Sequence, residues 1–293
     1  MKFKQSRTTI GLVLATFGAL FLTPDTLFMR LSQLDGWNML VWRGGLSGLA
    51  YLFIWVMVSG RRGWPKTFTL NFIILVICQI FNAALFSLAI ALAPVAVVLI
   101  GVATVPIFAA VLSKIILNEP LSKLTLTTAT IVFLGLFMSV LGKDGEGVVL
   151  DANTLLGLCL GLGVAFALAV NFTIIRKDKE APFVLAMAIG AICAAGLGIV
   201  FAETLYWPPL PNMAAIALTG MFILPLSFVT LSYAARYVSS STVSLIMLSE
   251  TVLGPLWVWW GIGESPSIMM LISGAIVLPA LAVFLIYESQ RRA

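Results

Sequence analysis

Apolar runs of about twenty residues follow one another along this chain with almost nothing between them, and that leaves few ways to fold. A membrane-spanning helix needs about 20 mainly apolar residues. On that ruler the sequence divides into ten spans, about 9–31, 36–59, 68–91, 95–117, 122–142, 154–176, 182–202, 212–236, 240–262 and 267–288. Only Leu92-Ala93-Pro94 separates the third from the fourth, and Asn118-Glu119-Pro120 the fourth from the fifth. Such linkers hold no soluble domain, so the reading is an all-α integral membrane protein built as one unit. Composition agrees, with 61% hydrophobic and 10% charged residues against about 45–50% and 25% in soluble domains. The first run meets no small-residue cleavage site and continues through Asp25 and Arg30, so no removable signal peptide is expected.

Charge placement sets an expected orientation. With both termini on one side, that side collects Lys2, Lys4, Arg7, Arg61, Arg62, Lys66, Lys114, Lys123, Arg176, Lys177, Lys179, Arg236, Arg291 and Arg292, while the other keeps Arg30 and Lys143. The excess of basic loops belongs in the cytoplasm, which puts both termini there, in a multi-pass inner (plasma) membrane protein. Arg43 lies inside the second span. The net charge of +5 reflects these loop positions and gives no reason to expect a nucleic-acid partner.

Several chemistries drop out. The chain has no histidine, so imidazole relays and His-ligated metals are excluded, and no metal or other cofactor is expected. Cys78, Cys159 and Cys193 sit in apolar runs without metal or redox spacing and read as small packed side chains. No phosphate-binding GxxxxGK[ST] loop is present, so nothing points to ATP hydrolysis within this chain. A carrier rather than an enzyme is expected.

The sequence also repeats itself. A shift of 146 places lays Gly11 on Gly157 and Arg30 on Arg176; a shift of 145 lays Val98-Leu99 on Val243-Ser244, Leu88-Ala89 on Tyr233-Ala234 and Glu119 on Glu264. This predicts two five-helix units, residues 1–142 and 154–293. An odd helix count makes the second unit enter the membrane from the opposite side. Inverted repeats of this kind are a recurring plan of secondary transporters, with the substrate site near the midplane between halves.

Two five-helix units that each open with a Gly-led helix ending in Arg (Gly11 to Arg30, Gly157 to Arg176) resemble the EamA-type drug/metabolite transporter superfamily. So does V-P-I-F-A-A-V-L-…-L-N-E-P-L-S from Val105 to Ser122, echoed by S-E-T-V-…-G-E-S-P-S from Ser249 to Ser267. Within the superfamily the chain is most similar to the YddG-type exporters, and the resemblance implies efflux of aromatic and other neutral amino acids. It departs from the Glu-Pro pair which that family carries in its fourth and ninth helices. The first copy reads Val105-Pro106, without a carboxylate, and the second Glu250-Thr251, without a proline. Ile189 stands where the repeat would match Arg43.

Candidate site residues follow from the spans. Gln79, Asn82 and Phe86 recur at i, i+3 and i+7 and share one face of the third helix. Amides can meet both charges of a zwitterion, and a ring can take its side chain. The alternative is hydrogen bonding between helices, worth only about 0.6 kcal/mol. The first helix offers Phe17, Phe21 and Asp25, and its copy Phe166 and Asn171; these aromatics either line a cavity or pack against neighbours. Asp25 falls near Arg43, as an ion pair or as a substrate or proton site. Ser227, Tyr233 and Ser244 dot the eighth and ninth helices, with Tyr233 close enough to the boundary to serve instead as an interfacial anchor. Glu250, in mid-span, is expected to face protein or water because a charge in hydrocarbon costs at least about 2.5 kcal/mol; it could cycle a proton or stay neutral as a donor. Pro24, Pro106, Pro225 and Pro255 free carbonyls in mid-helix and are candidate pivots. The partners expected are the lipid bilayer and a small-molecule substrate, an amino acid first and a lipophilic cation second, with a channel or an intramembrane hydrolase behind these. The oligomeric state stays open.

Overall fold

The computed structural model describes residues 2–59, 69–120, 122–141, 152–263 and 268–291. The expected external loop after Lys143 and the acid Glu264 lie outside them. Every regular element among the described residues is helical: α1 Lys2–Leu22, α2 Asp25–Ser32, α3 Gly36–Ser59, α4 Leu70–Leu92, α5 Val95–Val102, α6 Val105–Leu117, α7 Lys123–Leu141, α8 Ala152–Lys177, α9 Phe183–Phe201, α10 Leu210–Leu218, a π-helical turn Thr219–Ile223, α11 Leu224–Ala235, α12 Ser240–Met247, α13 Ser249–Ile262 and α14 Ile268–Arg291. The physical reason is that hydrocarbon offers no partner to a backbone N–H or C=O, so each segment must satisfy its own.

Among the described residues eight segments are long and apolar enough to cross a membrane: Arg7–Ser32, Gly36–Val58, Leu70–Leu92, Val97–Leu117, Ala152–Lys177, Phe183–Phe201, Leu210–Ala235 and Ser240–Ile262. The fifth and tenth expected spans fall on α7 and α14, where the apolar stretches Lys123–Gly135 and Ile272–Tyr287 are shorter. The chain is a multi-pass membrane protein.

Small residues decide which helices meet, because lipid tails are as apolar as leucine and close backbone approach is what favours association. A Cβ on Gly48 of α3 would stand 2.6 Å from Ile192 Cγ1 of α9, and one on Gly198 would stand 3.0 Å from Trp37 O. The α3–α9 seam therefore runs on glycines. Gly161 of α8 crosses Val98 and Gly101 of α5 at backbone distance, its absent Cβ 2.5 Å from Val98 O. Gly11 of α1 abuts Tyr237 and Val238, and Gly157 of α8 abuts Ala93. The most extensive pairings are α3 with α9, α4 with α8, α7 with α14, α1 with α11 and α4 with α9, followed by α5 and α6 with α8 and α6 with α12. Of the three cysteines, all free, Cys78 is packed inside, whereas Cys159 and Cys193 are exposed on the outer faces of their helices and are not the packing residues expected.

Candidate functional site

Four of the membrane segments are interrupted, and the interruptions meet. The first span stops at Thr23-Pro24 and restarts as α2; the fourth breaks at Ala103-Thr104 before α6; the eighth widens into the π-helical turn before α11; the ninth breaks at Leu248 before α13. Leu22 and Asp25, Val102, Leu224, and Met247 with Glu250 flank these four interruptions, and all six line one cavity. Irregular backbone at membrane depth is tolerated where it is buried in protein or faces a cavity, so local geometry and cavity explain each other.

The breaks also place charge. Asp25 is the first residue of α2 and Glu250 the second of α13, each in the first turn of a half-helix. The positive end of a helix dipole favours a carboxylate there by about 0.3–1 kcal/mol, more when partly buried. Proline contributes by supplying no N–H: Pro24 caps α2 and Pro106 occupies the first turn of α6, where the missing donor costs little, while Pro225 follows the π-turn in a continuous helix and leaves a carbonyl one turn earlier without its donor. Pro255 differs. Its helix runs uninterrupted from Ser249 to Ile262, and the break lies seven residues earlier, at Leu248.

Across the cavity from these ends stand α3 and α4. Arg43 Nη2 donates to Asp25 Oδ2 at 2.5 Å, and both side chains are buried, at 7% and 1% exposure. The guanidinium also lies over the Phe86 ring, 5.4 Å from its centroid, a cation–π arrangement. Gln79, Asn82 and Phe86 of α4 complete this wall. Asp25 Oδ1, Arg43 Nε and Ser87 Oγ are buried without a hydrogen-bond partner among the described residues, although a buried polar group left unpaired costs about 1–3 kcal/mol. The cavity itself is about 40 Å³. That is room for about two or three waters, so the walls must part before an amino acid can enter.

The fold thus brings Asp25, Arg43, Gln79, Asn82, Phe86 and Glu250 together. It leaves the other candidates elsewhere. Phe17 and Phe21 stack on each other on the outer face of α1, because Ala15, Ala19 and Leu22 take the inward phase of that helix. Phe166 is half exposed and packs edge-on against Phe108, since Ala165, Leu168 and Ala169 face inward. Asn171 and Ser227 are buried off the lining, Ser227 against Gly18. Tyr233 packs on Phe183 and Arg236. Ser244 donates to the carbonyls of Ser240 and Ser241 in its own helix. Sequence reasoning missed Ser47 and Tyr51, which line the cavity with Arg43. Their signal was there, an Arg-Ser-Tyr stripe at i, i+4 and i+8 on a largely apolar helix. Tyr51 donates to Leu224 O at the π-turn, at 3.2 Å, so it holds one interruption in place.

Residues 8–141 match the EamA-like transporter family. The EamA-like part runs from α1 through α7 and contributes Asp25, Arg43, Gln79, Asn82 and Phe86 to the cavity. Glu250 comes from beyond it. A crystal structure of another protein superposes with a TM-score of 0.76 at 17% sequence identity, over 95% of this chain and 95% of that one; at that identity it speaks for the fold, which extends across both halves. No curated protein matches the sequence.

Proposed function

We propose that this chain is a secondary carrier that exports aromatic and other neutral amino acids by alternating access. Ten helices in two inverted five-helix repeats, residues 1–142 and 154–293, move about the central cavity, with both termini on the cytoplasmic side of the inner membrane. The convergence of four helix interruptions on one charged cavity carries this reading. Discontinuous helices whose ends face a midplane site are what inverted-repeat carriers use to hold ionised substrates.

The repeat has three supports. Exchanging the first unit's helices for the second's turns the α1–α11 pairing into α8–α4 and maps α3–α9 and α7–α14 onto themselves. The breaks at Ala103 and Leu248 are one repeat offset of 145 apart. Gly11 and Gly157 make equivalent close contacts, with Val238 and Ala93 respectively.

In the site, Arg43 exchanges Asp25 for the substrate carboxylate, Gln79 and Asn82 take the remaining polar atoms, Glu250 faces the ammonium, and Phe86 packs on the side chain. The experiment is uptake of radiolabelled phenylalanine or leucine into proteoliposomes. Saturable flux that falls at least tenfold in Asn82→Trp is the expected result. A second reading is favoured by the charge count of the wall, two acids against one arginine: efflux of lipophilic cations. No flux of any amino acid, together with proton-dependent movement of a dye cation abolished by Glu250→Gln, would decide for that reading. Conductance far above carrier turnover would instead mean a channel.

A further inference from the structure

A second pocket of about 230 Å³ lies away from the central cavity, at the end of the molecule where α6 and α8 finish and α7 and α12 begin. Its wall, like that of the central cavity, is polar. Ser122, Thr125, Ser241 and Thr242 present hydroxyls, and Glu119 and Arg176 face each other within it. The pocket is smaller than the roughly 300–1,000 Å³ of drug-sized sites, which suits a small metabolite.

The two charges are joined loosely. Arg176 Nε donates to Glu119 Oε1 at 2.9 Å, with the side chains 19% and 28% exposed. That single N–H is the only hydrogen bond of the guanidinium among the described residues, so the bidentate edge that best fits a carboxylate is uncommitted. A partly exposed pair of this kind is worth about 0–1 kcal/mol and is readily exchanged for other partners. From Ser113 in the pocket wall a buried hydroxyl chain runs on between α6, α12 and α8. Ser113 and Ser240 stand 2.6 Å apart, and Thr173 Oγ1 donates to Ser240 Oγ at 3.3 Å, all three buried.

We infer that this pocket is a loading site for a small zwitterion, in which Arg176 takes the ligand's carboxylate and Glu119 its ammonium as their mutual bond opens. The inference rests on the amino-acid reading of the carrier. The pocket lies among Lys114, Lys123, Arg176 and Lys177, the end assigned to the cytoplasm, which is where an exporter must collect its cargo. Loading there also breaks the tie between the end of α6 and α8, whose Ser113 and Thr173 meet at Ser240, so that occupancy is linked to the packing of that junction.

The test is equilibrium binding of radiolabelled leucine to the full-length protein in detergent, with the central site blocked by Asn82→Trp, or by Gln79→Trp if only that variant is monodisperse. Leucine is expected to bind this background at one per chain, and adding Arg176→Gln or Glu119→Gln is expected to weaken that binding at least tenfold without lowering the melting temperature in proportion. Competition should require the carboxylate: unlabelled leucinamide, which lacks it, should displace leucine at least tenfold more weakly than leucine does. Wild-type transport of leucine with no binding in the blocked background, or binding that Arg176→Gln leaves unchanged, would overturn the loading site and leave the carrier reading standing. Absence of both transport and binding in the wild type would overturn the two together.

Discussion

At the scale of single residues, the buried Asp25–Arg43 pair sets the largest energetic stakes. Removing one member leaves the other charged and uncompensated inside the protein, a loss of about 3–5 kcal/mol. Arg43→Leu should therefore lower the melting temperature sharply in detergent, while the double variant Asp25→Asn, Arg43→Gln, which leaves no bare charge, should regain most of the loss. Equal melting temperatures for the single and double variants would mean that the pair contributes little. Tyr51→Phe removes the donor to Leu224 O at the π-turn and should cost about 0.5–1.5 kcal/mol, with transport slowed more than folding is weakened if that turn moves. Glu250→Gln keeps shape and removes the titratable proton. Downhill amino-acid exchange should survive it, whereas stimulation by an imposed pH gradient should vanish, and an undiminished gradient effect would take Glu250 out of any coupling role.

At the scale of elements, packing rests on helices that touch backbone to backbone. A side chain on Gly161 would run into Val98 O and Gly101, so Gly161→Val should push α5 off α8 and cost at least about 1–3 kcal/mol, the range for overpacking. Gly196, on the same helix as the α3–α9 seam glycine Gly198, has nothing within 4 Å of where a Cβ would stand. Gly196→Ala should be neutral or stabilising by about 0.5–1 kcal/mol, because alanine is the better helix former. Monodisperse yield and melting temperature of the two variants check the contrast. The sequence showed where proline would interrupt a helix at positions 24, 106 and 225, but not at Leu248, where no proline marks the break and the nearest, Pro255, continues its helix.

At the scale of the whole molecule, the proposed alternating access is expected to part the α6–α12 seam. Ser113 and Ser240 meet across it at 2.6 Å, so a Ser113→Cys, Ser240→Cys pair, in a background with Cys78, Cys159 and Cys193 replaced by alanine, should lock transport on oxidation and release it on reduction. Flux undiminished by the crosslink would show that this seam stays shut during the cycle. The all-helical class, the near-coincidence of expected and observed helix ends, and the placement of Gln79, Asn82 and Phe86 on one inward face were legible in the sequence, because hydropathy and the 3.6-residue period are local properties; of the ten expected spans, eight are long and apolar enough among the described residues. The same period could not say that α1 turns Phe17 and Phe21 outward or that α8 does so with Phe166. Rotation of a helix about its axis is set by its neighbours' small residues, which an apolar environment on every side leaves unmarked. Nor could it bring the loosely paired Glu119 and Arg176 into one polar pocket. The sequence by itself determined which segments enter the membrane as helices; only tertiary packing decided which faces meet, since in lipid that choice depends on close backbone fit rather than on hydrophobicity.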